Sequence, residues 1–345
     1  MRVKRCLSFD DILLVPKFSE IISRKEIDLS SSLDENIKTF LPIISSPMDT
    51  VTESDMAVSL DSMGCLGILH RYNDIRSQVK LVSDAVEKGA TNTGAAIGVS
   101  GDYTERALAL VDAGVKILCV DVAHGHHALM RNALNTLRNS LGTKVHIMAG
   151  NVATKIGYED LCRWGADSVR VGIGGGSICS TRIQTGHGVP TFQSILDCSE
   201  STFAGDFPII ADGGIKNSGD AVKALAAGAD YVMLGSLLSG TEESPGIKIE
   251  RSGSIFKEYR GMASSRAQMN WRGNVASQEG VAALVQYKGP VRDVIGSLEA
   301  GLRSGLSYSG CTDIVSFQSS AEMIEQTSSG ISESNTHVFS RGIKF

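Results

Sequence analysis

The sequence predicts an α/β fold, a closed (β/α)8 TIM barrel, and three observations carry this prediction. Short apolar runs rich in β-branched residues recur along the chain, segments with helical periodicity separate them, and glycines follow many of the segments. Continuous apolar strands between amphipathic helices indicate a parallel sheet that helices cover on both faces. Eight strand-and-helix units are the number that closes such a sheet into a barrel.

The predicted elements follow one another in a regular order along the chain. The eight barrel strands are expected at residues 42–45, 66–69, 94–97, 117–120, 145–148, 168–171, 208–211 and 231–234. Helices are predicted between them, for example over 103–113 and 220–227, and a last helix over 291–304. An open, doubly wound sheet is the alternative fold, but no Gly-x-Gly-x-x-Gly fingerprint follows the first strand.

Length and charge limit the partners that we expect. The 345 residues, 42% of them apolar, suit one large α/β domain or two small ones. The eight barrel units favour a single domain over 1–345, with residues 241–290 as a long insertion after the eighth strand. A net charge of -5 disfavours nucleic acid and anionic lipid as partners. No apolar run approaches the roughly 18 residues that cross a bilayer, and residues 1–10 do not resemble a secretory signal. We therefore expect a cytoplasmic protein with no membrane partner.

The cysteines divide into two groups. Seven is an odd number, and no Cys-x-x-Cys pair occurs, so we expect neither disulfides nor structural zinc. Cys65, Cys119, Cys162 and Cys198 are interpreted as buried structural thiols. Cys179 differs because it follows the sixth strand in a loop with four glycines, where backbone amides would favour a nucleophilic thiolate.

Two further loops at strand ends predict a phosphate site. In (β/α)8 enzymes the loops after strands seven and eight commonly hold a phosphate, and here they read Asp212-Gly213-Gly214 and Gly235-Ser236. Ser177 is a third candidate donor. Because a carboxylate would repel a phosphate, we expect Asp212 to accept hydrogen bonds from sugar hydroxyls. A nucleoside monophosphate satisfies both requirements.

Three histidines, His124, His126 and His127, follow the fourth strand. Their spacing is not the i, i+4 helical pair of zinc hydrolases. We therefore do not expect a metal site there.

Five motifs in the same order resemble the IMP dehydrogenase/GMP reductase family, and the resemblance spans nearly the whole chain. They lie at residues 9–16, 46–52, 174–182, 211–214 and 259–262. The resemblance implies a homotetrameric barrel in which Cys179 attacks C2 of a purine nucleotide, with hydride transfer between C2 and a nicotinamide cofactor.

The resemblance also assigns site residues. Thr181 and Glu279 match the pair that moves protons, alongside Cys179. The expected nucleotide contacts are Ser46, Met48, Asn151, Ser177, Asp212, Gly213, Gly214, Gly235, Ser236, Tyr259, Gly261, Met262, Ala263, Ser277, Gln278 and Gly280. The expected cofactor contacts are Asp121, Val122 and Ala123, with Ser23 and Arg24 from a neighbouring subunit. Carbonyls of Gly174, Gly176 and Cys179, next to Arg182, match a potassium (K+) site.

Two segments bear on which reaction of the family is carried out. Dehydrogenases usually insert a regulatory CBS module after the second strand, where this chain has only residues 67–94, and they carry a long flap with an adjacent Arg-Tyr that activates water. Gly261 to Glu279 spans nineteen residues without that pair. This favours the reductase reaction, the NADPH-dependent conversion of GMP into IMP and ammonia.

Other features favour different functions. Residues 123–126 and 240–246 resemble the dehydrogenases, in which IMP, NAD and water give XMP, and Arg266 or Arg272 would then replace the missing water activator. A nucleotide-binding protein without catalytic activity is the alternative from another class, and the presence of Cys179, Thr181 and Glu279 argues against it.

Overall fold

A computed structural model describes residues 3–273, 275 and 278–334 of the chain. The predicted nucleotide contact Ser277 lies outside the described residues. None of the helices in the described ranges has the length and apolar character that a bilayer crossing requires.

The strands and helices are numbered along the described chain. The strands are β1 (Ile12–Leu14), β2 (Ser31–Ser32), β3 (Lys38–Thr39), β4 (Ile43–Ser45), β5 (Leu66–Leu69), β6 (Thr93–Ile97), β7 (Ile117–Asp121), β8 (His146–Val152), β9 (Ser168–Val171), β10 (Ile209–Asp212), β11 (Tyr231–Leu234), β12 (Ile249–Arg251), β13 (Ser254–Arg260), β14 (Ala282–Gln286) and β15 (Met323–Glu325). The α-helices are α1 (Ser54–Ser62), α2 (Ile75–Glu87), α3 (Tyr103–Asp112), α4 (Ala128–Leu141), α5 (Lys155–Arg163), α6 (Thr181–Thr185), α7 (Thr191–Ser199), α8 (Ser218–Ala226), α9 (Ser265–Arg272), α10 (Val291–Tyr308), α11 (Ile314–Ser320) and α12 (Ser328–Glu333).

Strands β4 to β11 form a closed parallel barrel in sequential order. The ring closes where β11 pairs with β4, with Leu234 opposite Ser45. The predicted (β/α)8 barrel is therefore confirmed, and each of the eight strands overlaps its predicted range. The fifth barrel strand, β8, runs four residues beyond its predicted end because it continues to pair with β9 through a register shift after Gly150.

Apolar side chains fill the interior of the barrel. Ile44, Ile68 and Met148 belong to a buried cluster inside the ring, and Leu33 and Ile37 from the β2–β3 hairpin complete that cluster. On the outside, the helices bury their apolar faces against the strands. Both faces of each barrel strand are therefore buried, which explains the continuous apolar runs in the sequence.

Residues 241–290 form an insertion between β11 and α10. It contains α9 and a three-stranded antiparallel sheet in the order β12–β13–β14. Arg260 at the end of β13 donates from Nε and Nη2 to the carboxylate of Asp49, at 3.0 Å and 2.5 Å from Oδ2. This nearly buried ion pair fixes the insertion to the loop after β4. In contrast, β5 and β6 are joined by α2 alone.

Candidate active site

A pocket of about 330 Å³ opens at the carboxyl ends of the barrel strands. Loops after six barrel strands and Asn151 near the end of β8 contribute to its lining, and the insertion closes one side. Most of the predicted site residues line this pocket, namely Ser46, Met48, Asp121, Val122, Ala123, Asn151, Gly174, Gly176, Ser177, Cys179, Thr181, Asp212, Gly213, Gly214, Gly235, Ser236, Tyr259, Gly261, Met262, Ala263 and Glu279.

Five predicted site residues lie outside the lining. Ser23 and Arg24 belong to the segment before the barrel, where the Ser23 side chain caps a short 3-10 turn. Gln278 is exposed, Gly280 is buried behind the pocket wall, and Arg182 lies under the loop that follows β9.

Cys179, Thr181 and Glu279 form a continuous hydrogen-bonded line at the pocket wall. The Cys179 Sγ atom lies 3.2 Å from Thr181 Oγ1, and Thr181 Oγ1 donates to Glu279 Oε2 at 2.8 Å. A thiol is thus connected through one hydroxyl to a carboxylate. Through the Thr181 hydroxyl, this arrangement can relay a proton between the Glu279 carboxylate and a group bound next to the sulfur.

Backbone pairing brings Glu279 to the cysteine loop. The amide of Ser180 donates to the carbonyl of Glu279 at 2.9 Å, and Gly280 forms an antiparallel bridge with Cys179. A Cβ atom on Gly280 would lie 3.1 Å from the amide nitrogen of Ser264, closer than most such contacts. Glycine at this position therefore allows the returning segment of the insertion to pack directly against residues 261–264, while it pairs with Cys179 on its other side.

Five of the six other thiols are buried, unlike Cys179 and Cys6. All seven cysteines are free, and Cys179 is only partly buried. Burial raises the pKa of each of the four predicted structural cysteines to about 12, so they stay protonated near neutral pH. Their assignment as buried structural thiols is confirmed for Cys65, Cys119, Cys162 and Cys198.

A buried arginine organises the acidic residues of the pocket. Arg170 is 5% exposed, and its guanidinium donates to Asp212 Oδ2 at 2.8 Å and to Asp121 Oδ1 at 2.5 Å. Asn151 Nδ2 donates to the same Asp212 oxygen at 2.8 Å. Both of these bonds to Asp212 use its Oδ2 atom, and Asn151 Oδ1 is buried without a hydrogen-bond partner in the described chain.

Arg170 was not predicted as a site residue. Its sequence signal is a single charged residue within the apolar run 168–171. Because a buried guanidinium needs anionic partners, such a residue in a barrel strand points to carboxylates at the same level of neighbouring strands.

The end of the pocket at Gly213, Gly214 and Gly235 offers backbone groups and neutral hydroxyls. Gly213 and Gly214 have φ angles of 92° and 82°, a left-handed backbone conformation that glycine adopts without strain. Tyr259 is buried, and burial raises its pKa to about 12, so its hydroxyl remains a hydrogen-bond donor. A Cβ atom on Gly235 would lie 3.1 Å from that hydroxyl. This end is suited to an anion that accepts hydrogen bonds.

Aromatic rings and one arginine border the pocket beside Asp121. Arg71 donates to the Asp121 carbonyl at 3.1 Å, and its guanidinium lies 5.2 Å and 5.3 Å from the ring centres of Tyr72 and Trp271. Tyr72 and Trp271 meet edge to face at 4.7 Å. Trp271 belongs to α9, so the insertion contacts the barrel directly at this rim.

Arg182 supports the loop after β9 from outside the pocket. Its guanidinium donates to the carbonyls of Ile173 at 3.1 Å and Val189 at 2.5 Å. Within the same loop, the Gly176 carbonyl accepts from the Cys179 amide at 3.1 Å. Because a guanidinium is itself a cation, the Arg182 side chain cannot bind a monovalent cation, whereas the carbonyl groups of this loop can.

Two of the three histidines have local structural partners. His126 lies 2.9 Å from Asp160 and stacks on Trp164, and His127 Nδ1 accepts from the amide of Leu129 at the start of α4.

Comparisons with known proteins match the whole fold and both branches of one family. Residues 6–337 match the model of the IMP dehydrogenase / GMP reductase domain. The chain belongs to the IMP dehydrogenase/GMP reductase family. It is 38% identical to an inosine-5'-monophosphate dehydrogenase of Cryptosporidium parvum, covering 96% of this chain and 94% of that protein. It is 32% identical to a GMP reductase of Leishmania major, covering 97% of each.

A solved structure shares the architecture closely. The crystal structure of a cysteine-to-alanine variant of GMP reductase from Trypanosoma brucei, in complex with guanosine 5'-monophosphate, superposes with a TM-score of 0.93 at 29% identity, covering 99% of both chains. Membership of this family makes the chain an oxidoreductase of purine metabolism that uses a nicotinamide cofactor.

Proposed function

We propose that this chain is a GMP reductase that converts GMP into IMP and ammonia with NADPH. The observation that carries the proposal is the short connection from Gly261 to Glu279, which contains no adjacent Arg-Tyr pair. Within it, α9 packs Trp271 against Tyr72 at the pocket rim. The structural neighbour from Trypanosoma brucei, described as a GMP reductase in complex with GMP, supports the same reaction.

The pocket supports one orientation of the nucleotide. The 5′-phosphate would be held by the Gly213-Gly214 and Gly235-Ser236 backbone, with hydroxyls from Ser177 and Tyr259. Asp212, held by Arg170, would accept from the ribose hydroxyls through its remaining oxygen. The remaining contacts, Ser46, Met48, Asn151, Gly261, Met262, Ala263, Ser277, Gln278 and Gly280, would then enclose the base.

In this orientation Cys179 acts as the nucleophile. Its thiolate adds to C2 of the purine, and the C2–N2 bond breaks as ammonia leaves with a proton that Thr181 and Glu279 relay. NADPH, the second substrate, supplies the hydride that replaces sulfur at C2 and restores the thiolate. General acid–base catalysis of this kind contributes about 10² to 10⁴ in rate.

The remaining groups would hold the second substrate and an ion. Asp121, Val122 and Ala123 would contact the nicotinamide ribose, and Ser23 and Arg24 would meet the far end of NADPH from the next subunit of a homotetramer. Carbonyls of the loop after β9, at Gly174, Gly176 and Cys179, would bind K+, with Arg182 bracing the loop from behind.

IMP dehydrogenase activity is the second candidate, and specific comparisons favour it. Curated relatives of that name reach 38% identity in Cryptosporidium parvum and 34% in Nitrosopumilus maritimus. That reaction needs a group to activate water. Arg266 is 67% exposed and pairs with Glu258 at 3.2 Å, outside the pocket lining, and the side chain of Arg272 lies outside the described residues.

One pair of assays separates the two reactions. We expect GMP with NADPH to lose the absorbance of the reduced nicotinamide and to release IMP and ammonia in equal amounts. IMP with NAD should form neither XMP nor reduced cofactor. XMP formation without consumption of GMP would overturn the proposal in favour of the dehydrogenase. Nucleotide binding without either reaction would instead indicate a binding protein.

A further inference from the structure

Lys257 is a fully buried lysine that the proposed chemistry does not use. It lies on β13 and is 2% exposed. Its Nζ atom donates to the backbone carbonyls of Thr241 at 3.0 Å, Glu242 at 3.2 Å and Ser244. No carboxylate oxygen lies within 4 Å of it in the described part of the chain. Lysine is almost never buried in this way without an anionic partner.

The carbonyl acceptors match the protonated form of the side chain. An ammonium group has three N–H donors, and here each carbonyl takes one of them. The loop 241–244 therefore wraps around a single positive charge, as it would around a monovalent metal ion. Without that charge, three carbonyl oxygens would point at one another in a buried space.

Hydrogen bonds connect the loop 241–244, which surrounds the Lys257 ammonium group, to the turn 235–240, which would hold the phosphate. Thr241 Oγ1 donates to the carbonyl of Leu238 at 2.8 Å, and the amide of Leu238 donates to the carbonyl of Gly235 at 3.1 Å. Leu238 and Thr241 are both fully buried. The path from Lys257 to the half-buried Gly235 thus runs through hydrogen bonds of two buried residues, Thr241 and Leu238.

Strand geometry adds a second connection. Residues i and i+2 of a strand project from the same face, and the buried residues of β13 are Lys257 and Tyr259. The Tyr259 hydroxyl lies against Gly235, while Lys257 holds residues 241–244. Two neighbouring side chains of one strand therefore contact both ends of the segment 235–244.

We propose that Lys257 is a built-in monovalent cation whose ammonium group positions the turn 235–240 and with it the nucleotide phosphate. It is a positioning residue, since it acts through the turn and does not touch the substrate. The inference rests on the proposed placement of the phosphate at Gly235 and Ser236. It holds equally for GMP and IMP, because both carry the same phosphate.

The test is chemical rescue of Lys257→Ala. This substitution removes the side-chain atoms from Cγ to Nζ, which n-propylammonium replaces one for one. Binding of GMP, IMP and their nucleosides is measured by calorimetry with propylammonium, with the uncharged analogue propanol, or with neither. Lys248→Met is the matched control, because Lys248 lies in the same insertion but is exposed and pairs with Glu242.

We expect Lys257→Ala to weaken GMP and IMP binding about 10- to 100-fold, as loss of charged hydrogen bonds does. Guanosine and inosine should bind as they do to the unsubstituted protein. Propylammonium should restore most of the nucleotide affinity, whereas propanol should not, and Lys248→Met should bind normally. If Lys257→Ala folds only with an additive, the thermal midpoint is the readout, and it should rise with propylammonium but not with propanol.

The results that would overturn the role of Lys257 differ from those that would refute the proposed phosphate site. Unchanged nucleotide affinity in Lys257→Ala, equal loss for nucleosides and nucleotides, or equal rescue by propanol would each overturn the role of Lys257. Failure of the unsubstituted protein to bind GMP or IMP more tightly than the nucleosides would instead refute the proposed phosphate site.

Discussion

Replacing Glu279 by glutamine separates its chemical role from its structural one. Glutamine keeps the size of the side chain and an oxygen that can accept from Thr181 at the observed 2.8 Å. Exchanging a charged acceptor for a neutral one weakens a hydrogen bond by about 1 to 1.5 kcal/mol, which corresponds to a roughly 10-fold change in rate. Loss of the proton acceptor or donor costs about 10² to 10⁴ in rate. We therefore expect kcat to fall at least about 100-fold, with little change in KM for GMP.

The assay is steady-state oxidation of NADPH with GMP as the varied substrate. Glu250→Gln serves as the control, because Glu250 is an exposed carboxylate on β12 of the same insertion. A kcat for Glu279→Gln within about 10-fold of the unsubstituted enzyme, the neutral hydrogen-bond limit, would show that Glu279 only orders the loop. The proposed proton relay would then be wrong.

Three further predictions use other parts of the structure. Iodoacetamide should alkylate Cys179 quickly, and bound GMP should protect this thiol. The four buried cysteines with pKa values near 12 should stay unmodified in peptide maps. Equal labelling of Cys179 with and without GMP would contradict its assignment as the nucleophile. The hydrogen bond from His146 lowers the pKa of Asp34 in the folded protein. The ionised Asp34 therefore stabilises the fold fully above its unfolded pKa of about 3.9, and this stabilisation is lost as the pH falls through the lower pKa of the folded state. In urea unfolding, Asp34→Asn should lower the free energy of unfolding by about 1 to 2 kcal/mol near neutral pH, and the two proteins should become equally stable in acid. Ligand binding beside α9 should change the fluorescence of Trp271, so that the change is lost in Trp271→Phe and kept in Trp164→Phe; the reverse pattern would exclude α9 as the reporter.

Much of the barrel could be predicted because its pattern is local. Each barrel strand is an apolar run, and burial on both faces makes that run continuous, so strands such as β5 and β9 have the predicted bounds. Helix ends were less well defined. The last predicted helix, 291–304, continues to Tyr308 because Leu306 remains on its buried face.

The site was partly predictable because chemistry in this fold collects at strand ends. Cys179 lies in the loop after β9, Asp212 ends β10 and Gly235 directly follows β11, so their meeting in one pocket follows from the closure of the barrel. Arg170 was not predicted as a site residue because it lies inside a strand. Its role depends on Asp121 and Asp212, which belong to other strands.

The sequence by itself determined the barrel, the face that carries the pocket and the position of Cys179 on that face, because periodicity and strand ends are properties of neighbouring residues. Only the tertiary structure decided how Glu279 reaches Thr181 across 98 residues, and how Lys257 comes to lie among the carbonyls of a loop that precedes it. These contacts depend on how the insertion folds back onto the barrel. Such long-range backbone pairing leaves no periodic trace in the chain.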